Sequence, residues 1–369
     1  MKILNILQGT SLGGMEQSSL ELMRSMKSIG CDFEVLSLTP FGPLKTKLDI
    51  ENIEAKDTMY KGVGGWRSFL DIKLKISETD AESIMMTGHS LIGMLALGKK
   101  CKGKRILAIH FHHQGVKNNL IWKIIYFIAC KKFNRITFAS EFIRDEAISI
   151  YSKVEKMSEV IHNPIQKKAL QDSDQKEISR KKLGLPADAI IFGNAGWLIK
   201  RKRFDVFINL ARKIKDAHPS AKFLIAGDGE EKNNLLELAV NLEISDDIIW
   251  LGWQDNLDDF YNAIDFMIFN SDWDAVGLSP LESILKGIFT IISVKNGGIK
   301  EILKNDFSFF FHNNHDIKVM TNKITNIINN NDEYYDLLLL LRKHVISISN
   351  PLDIAYATKK LYLKHDKKN

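Results

Sequence analysis

The stretch NSDWDAVGLSPLESILKGIFTIISVKNGGIKE, Asn270–Glu301, decides how this chain is read. It begins where an apolar run, AIDFMIF, stops. A short acidic loop, a helix-length segment, a second apolar run (FTIISV) and a Gly-Gly turn follow. Strand, loop, helix, strand and loop within about 30 residues is a minimal βαβ unit. In an open parallel sheet, ligands bind beyond the carboxyl ends of the strands, where helix N-termini offer unpaired N–H groups to phosphates. Chemistry is therefore expected at the loop after the first strand. Asp274 and Glu282 bracket that helix start with seven residues between them, and Gly277 lets the backbone approach a ligand closely. Glu282 also has a purely structural reading. Ser279-Pro280-Leu281-Glu282 has the form of a capping box, with Pro at the first helical position and Glu at N3.

Outward from this unit, the 369 residues suit two domains of roughly 150–200 residues each. Apolar content of 45% and charged content of 26% are ordinary for a globular protein. No run approaches the ~20 apolar residues of a membrane span. The opening MKILNILQG is too short an apolar stretch, broken by Asn5, to serve as a signal peptide. Cys31, Cys101 and Cys130 are scattered and odd in number, which fits a reduced, cytoplasmic chain without a disulfide frame. A net charge of +6 suits a phosphate-bearing ligand or an anionic membrane surface. Basic residues are dispersed and no base-reading motif accompanies them, so nucleic acid is not an expected partner.

The N-terminal end repeats the βα theme. Lys2 to Leu7 reads as a buried strand, followed by the glycine loop Gln8 to Gly14, a helix from Met15 to Ser28 and a strand from Phe33 to Leu38. This is how a Rossmann-type half begins, but without the full G-x-G-x-x-G a dinucleotide is not the natural ligand. His89 and His110 each follow a short strand-like run and belong at strand ends. A metal site built from His89, His110, His112 and His113 lacks carboxylate or Cys partners at familiar spacing, and no metal is expected. Residues 118–132, NNLIWKIIYFIACKK, form the most apolar helix candidate of the first half, flanked and interrupted by Lys117, Lys123, Lys131, Lys132 and Arg135. Two readings stand: a core helix with solvated lysines, which is preferred, and an interfacial helix with an apolar and a basic face.

The first domain is expected to run over 1–168 and to close at His162-Asn163-Pro164. A polar linker over 169–188 follows, then a second Rossmann-like domain over 189–350 and a last helix within 351–369. The second domain alternates strands and helices, which argues for a parallel sheet. It holds the loop Gly196-Trp197-Leu198-Ile199-Lys200-Arg201-Lys202-Arg203 and the turn Gly227-Asp228-Gly229.

These landmarks together resemble the retaining glycosyltransferases of family 4, whose GT-B fold has two Rossmann-like, doubly wound parallel-sheet domains facing across a cleft. The family's acid, seven residues, Glu, then Gly-Gly and Glu reads here as Asp274, Glu282, Gly297, Gly298 and Glu301, with Asp in the place of the usual first Glu. Its Gly-Gly-x-Glu loop reads Gly13, Gly14 and Glu16, and its histidine near the transferred sugar reads His110. Lys202 matches a diphosphate-contacting lysine, whereas Trp197 stands where the family has a second, arginine contact. Family members return the last helix to the first domain.

The resemblance implies transfer from a nucleoside-diphosphate sugar, a UDP-sugar first, to a glycan or lipid-linked glycan in bacterial surface polysaccharide synthesis, without a metal or other cofactor. Implied roles are catalytic for His110, Asp274 and Lys202. Donor binding falls to Glu282, Gly277, Leu278, Ser279, Trp197 and Gly227, and Gly13, Gly14 and Glu16 line the acceptor side. The place of action is the cytoplasm, with peripheral contact at the inner face of the cell membrane. Two alternatives remain: a non-catalytic GT-B subunit that binds nucleotide sugar for a partner transferase, and a GT-B sugar-nucleotide epimerase.

Overall fold

The computed structural model describes residues 1–11, 13–59, 65–98, 103–111, 119–293, 297–303, 305–312 and 316–363. Leu12 of the first glycine loop, Cys101, His112, His113, Lys117, Asn118, Val294 and the basic tail from Lys364 lie outside the described residues. The chain divides into two compact units. The first runs from Met1 to Gln166 and resumes at Ser349; the second is Lys167–Ile348.

The first unit alternates β1 (Lys2–Leu7), α1 (Gly14–Ser28), β2 (Asp32–Ser37), α2 (Leu44–Ile50), β3 (Glu54–Asp57), α3 (Trp66–Glu78) and β4 (Ser83–Thr87). Then come α4 (Leu91–Ala96), β5 (Arg105–Ile109), α5 (Asn119–Lys132), β6 (Arg135–Phe138), α6 (Glu141–Ile150) and β7 (Ser158–Val160). The strands make one parallel sheet in the order β3-β2-β1-β4-β5-β6-β7. Strands covered on both faces have no polar side to present, which is why KILNIL and SIMMT are apolar almost throughout. Asn5 is the exception in β1. Its amide donates to Ser19 Oγ at 3.0 Å and its carbonyl accepts from Thr87 Oγ1 at 3.2 Å, so the buried group is satisfied. The last helix, Pro351–Leu363, belongs to this unit, and its Ile354, Ala355, Leu361 and Tyr362 share a core with Met23, Met26 and Phe33.

α5 packs into the first unit along one side only. Trp122, Ile125, Tyr126 and Ala129 are buried in the unit, while Ile121, Ile124 and Phe127 face outward with Lys123.

The second unit starts with α7 (Ser173–Lys182), β8 (Ile191–Ala195), α8 (Phe204–Ala217), β9 (Lys222–Ala226), α9 (Lys232–Asn241) and β10 (Ile248–Gly252). It continues with α10 (Asp258–Ala263), β11 (Phe266–Phe269), α11 (Leu278–Leu285), β12 (Phe289–Ser293), α12 (Gly297–Leu303), β13 (Phe311–His312), α13 (Ile317–Asn329) and α14 (Asn331–Ile348). Its parallel sheet runs β10-β9-β8-β11-β12-β13. Residues 169–188, expected as a linker, instead hold α7 docked within this unit. Asp172 caps it by accepting the Gln175 N–H at 2.8 Å. Arg180, buried, donates to the Ala263 carbonyl at 3.0 Å and to Asp265 at 2.7 Å. The polar composition that suggested a linker is that of a helix held by charge-assisted hydrogen bonds.

Each sheet reverses its strand order once: after β3 the chain returns to lay β4 beside β1, and after β10 it returns to lay β11 beside β8. Loops leaving the two central strands diverge there, and this is where open α/β sheets hold ligands.

Candidate functional site

In the second unit the reversal brings the loop after β8 against the loop after β11. The Asp272 N–H donates to the Arg201 carbonyl at 2.9 Å, which locks the two loops together. Lys202 then forms an ion pair with Asp274, and Arg201 reaches the same carboxylate at 3.4 Å. Arg201 also lies over the Trp273 ring, 4.5 Å from its centroid, and donates to the Trp273 carbonyl at 3.1 Å. The Lys202 and Asp274 side chains are only 12% and 18% exposed, so the pairing acts in a medium far less screening than water. Burial alone would raise the Asp274 pKa, but Lys202 and Arg201 outweigh it and hold the carboxyl below its usual value. Burial lowers the Lys202 pKa against the opposing pull of Asp274. Arg203 is committed elsewhere, to Asp205 at 3.0 Å and Asp272 at 3.3 Å.

Carboxyl ends of the neighbouring strands are laced by backbone. Gly196 N–H donates to the Ala226 carbonyl (2.9 Å), Leu198 N–H to the Asp228 carbonyl (2.9 Å) and Gly227 N–H to the Gly252 carbonyl (2.8 Å). The lacing is close enough that a Cβ on Gly227 would lie 1.9 Å from the Gly196 carbonyl oxygen. It also sets Trp197, 41% exposed, against Trp253, with ring centroids 4.2 Å apart. Trp197 therefore presents an aromatic plane where the resembled family has a cation.

α11 starts at Leu278 after Gly277, whose φ of +80° belongs to glycine. No side chain caps this start. Ser279 Oγ donates instead to the Ala195 carbonyl at 3.3 Å, and Glu282 accepts the Tyr261 hydroxyl at 2.8 Å. Tyr261, buried on α10, thus aims the Glu282 carboxylate; burial and Glu282 together raise the phenol's pKa well above its ordinary value.

In the first unit, Gly13 precedes α1 and Gly14 begins it. A Cβ on Gly13 would come within 2.8 Å of Glu16 Oε2, so the glycine makes room for that carboxylate. Glu16 is buried, accepts from Ser11 Oγ at 3.4 Å, and has its pKa raised by desolvation, against the lowering effect of its hydrogen bonds. His110 follows β5 and pairs through Nδ1 with Asn163 Oδ1 at 2.9 Å. With that oxygen accepting, Nδ1 carries the proton and Nε2 keeps a lone pair. Burial pulls the ring's pKa down to about 4, although the Asn163 hydrogen bond favours the charged form.

His110 is therefore neutral at pH 7. Because the folded value lies below the ~6.5 of an unfolded histidine, its contribution to stability is whole above that pH. The contribution is lost as pH falls towards about 4, by up to about 3 kcal/mol. An NMR titration of the His110 ring is expected to give a midpoint near 4; a midpoint near ~6.5 would show a solvated ring.

Lys202, Asp274, Gly277, Leu278, Ser279, Glu282, Trp197 and Gly227 belong to the second unit, and Gly13, Gly14, Glu16 and His110 to the first. Tyr261 and Trp253 were not singled out from sequence, and Asn163 was read only as part of the closing turn. Of Lys200, Arg201 and Arg203, the loop cations that could replace the missing arginine, Arg201 is the one that reaches Asp274. Among the described residues no cluster of three or more His, Cys, Asp or Glu is placed to hold a metal ion.

Residues 175–338, most of the second unit, match the family model described as Glycosyl transferases group 1. A lipopolysaccharide core biosynthesis glycosyltransferase of Rhizobium meliloti, LpsE, is 32% identical over 121 residues, covering 33% of this chain and 34% of the relative. The O-antigen biosynthesis glycosyltransferase WclY of Escherichia coli is 26% identical over 206 residues, 53% of this chain and 55% of that one. The matched stretches span about a third to a half of the relatives' own lengths. Among solved structures, Anabaena HepE in complex with UDP and glucose superposes with a TM-score of 0.86 at 15% identity, covering 99% of this chain and 100% of that one. The fold is GT-B.

Proposed function

We propose that this chain is a retaining glycosyltransferase of family 4. It moves a sugar from a nucleoside-diphosphate sugar to a glycan or lipid-linked glycan at the inner face of a bacterial membrane, in surface polysaccharide synthesis. The observation that carries the reading is the buried Lys202–Asp274 pair, joined by Arg201, beside the N-terminus of α11. As the bond from the sugar to the diphosphate breaks, negative charge grows on the phosphate. Preorganised cations and N–H donors are the largest stabilisers of such a transition state. Lys202 and Arg201, with the N–H groups of Gly277 to Ser279, meet that need without a bound cation. Arg201 supplies the charge that Trp197 does not.

Glu282, aimed by Tyr261, accepts the ribose hydroxyls, and Asp274 meets the transferred sugar once the phosphate draws Lys202 away. The acceptor oxygen attacks the face the diphosphate leaves, and its proton passes to the departing phosphate oxygen. Configuration is thereby kept and no enzyme nucleophile is required. UDP-sugars are the favoured donors, a reading supported by the similar Anabaena HepE, which was solved in complex with UDP and with UDP-glucose.

Thermal shift of the purified protein against a panel of nucleoside-diphosphate sugars, with EDTA present, tests this reading. One donor at about 100 times its Kd is expected to stabilise by about 2.7 kcal/mol. The gain should vanish in Glu282→Ala and Lys202→Ala, and the same donor should support transfer. Binding without transfer or hydrolysis would favour the non-catalytic subunit; interconversion of free sugar nucleotides would favour an epimerase.

A further inference from the structure

Among the described residues only Asn52, Arg203 and Glu243 take a left-handed backbone without being glycine, each with a φ of +52°. Asn52 and Glu243 stand just past the ends of α2 and α9, where a left-handed residue is the common way to stop a helix. Arg203 is different. It closes the single turn Lys200–Lys202 and stands immediately before α8. A helix start favours Ser, Thr, Asp or Asn in extended backbone. Arginine has none of their capping oxygens, its conformation here is left-handed, and no side chain caps α8. Local preference opposes this residue on both counts, so the reason for it lies in its distant contacts.

The Arg203 side chain is 21% exposed and forks between two carboxylates on different segments. Nε and Nη2 each donate at 3.0 Å to Asp205, in the first turn of α8. Nη1 donates at 3.3 Å to Asp272, in the loop after β11. A planar guanidinium can hold both at once, which a lysine ammonium cannot do in the same geometry. Asp272 is thereby gripped twice, since its backbone N–H donates to the Arg201 carbonyl at 2.9 Å. Lys202 lies between the two grips and pairs with Asp274. Each of residues 201, 202 and 203 is therefore tied to the segment 272–274.

We propose that Arg203 is a positioning residue for sugar transfer: its bridge to Asp272 clamps the loop after β8 to the loop after β11 and so fixes the backbone from which Lys202 reaches the departing diphosphate. The inference rests on the function proposed above, in which the Lys202 ammonium leaves Asp274 for phosphate. The clamp lets the ammonium swing while its stem stays in place.

Arg203→Gly removes the clamp and relieves the backbone together, so it should fold with a melting temperature close to that of the unaltered protein. Turnover at saturating donor is expected to fall about 10- to 100-fold, the scale of loss when a reacting group is misplaced by about 1 Å, while KM for the donor changes little. Asp272→Asn keeps the backbone bond to Arg201 and should lose turnover alike, and the double variant should lose little more than either single one. Arg203→Lys, which keeps a cation within reach of one carboxylate, should recover part of the loss. Glu243→Gly relieves the same kind of backbone strain at the end of α9 and should leave turnover unchanged. A further readout needs no donor: acetylation of the Lys202 amine by an activated ester, followed by mass spectrometry, should be slow in the unaltered protein and about tenfold faster in Arg203→Gly as the loop opens. If the unaltered protein transfers no sugar while Arg203→Gly exposes Lys202, the assigned activity falls and the clamp stands. Equal protection of Lys202 in both proteins would overturn the clamp whatever the activity. A lower melting temperature with unchanged turnover per folded molecule would also overturn it, by reducing Arg203 to a structural tie.

Discussion

Lys202→Met is expected to lower the rate of sugar transfer at saturating donor by about 100- to 1,000-fold, the usual loss when one preorganised charge stabiliser is removed from a low-dielectric site. The side chain is 12% exposed and sits between the Asp274 carboxylate and the Phe269 ring, 4.9 Å from the ring centroid. Methionine keeps the length and the apolar contacts and removes the charge. Stability should fall as well, because removing one member of a buried ion pair strands the other. Arg201 remains 3.4 Å from the same carboxylate, which limits the loss to about 1–2 kcal/mol rather than the full 3–5 of an orphaned charge. A variant whose melting temperature is nearly normal but whose turnover has collapsed would place the lysine in the reaction. Equal turnover in the two proteins would remove it.

The acid limb of stability separates the pair from its surroundings. Asp274 is held below its usual pKa once Lys202 and Arg201 overcome its desolvation. Its contribution is whole above the ~3.9 of an unfolded aspartate and is lost as pH falls through the lower folded value. In Lys202→Met the desolvation is less opposed, so the folded pKa rises and acid unfolding begins at a higher pH. Asp274→Asn should remove this difference, and the double variant should resemble Asp274→Asn alone.

Much of the architecture was legible because it is written locally. Continuous apolar runs such as KFLIA and FMIF admit a parallel strand buried on both faces, and the loops between them mark the βα alternation. Asp274 and Glu282 stood out because one loop and one helix carry both. Partners supplied by distant segments were not visible. Trp197 meets Trp253 only because the ends of β8, β9 and β10 are laced, and Tyr261 reaches Glu282 from a different helix. Ser-Pro-x-Glu also has the form of a helix cap, the structural alternative for this stretch; in the fold the Ser279 hydroxyl goes to the β8 carbonyl of Ala195, a partner 84 residues away that no local pattern shows. The 169–188 segment was misleading for a similar reason. A charged sequence looks like a linker until Asp265 and the Ala263 carbonyl are seen to receive Arg180.

Gly227→Ala is the most damaging single methyl group the second unit should meet. The added Cβ would lie 1.9 Å from the Gly196 carbonyl oxygen and 3.1 Å from its carbon, both backbone atoms that no rotamer change can move. Relief requires the Gly196–Leu198 loop to lift off the turn. That motion threatens the Leu198 N–H bond to Asp228 and the Gly196 N–H bond to Ala226, each 2.9 Å long. Overpacking of this kind costs about 1–3 kcal/mol, and two weakened backbone hydrogen bonds add about 1 kcal/mol each. A total of roughly 3–5 kcal/mol corresponds to a fall of about 10 °C in the unfolding temperature of a unit this size. Gly65→Ala provides the contrast, since nothing lies within 4 Å of its Cβ position and its φ is −137°; its melting temperature should be nearly unchanged. Because the displaced loop also carries Arg201 and Lys202, donor binding should weaken in Gly227→Ala even at temperatures where the protein stays folded. Wild-type stability and donor affinity in Gly227→Ala would mean that the lacing of β8, β9 and β10 is looser than these distances require.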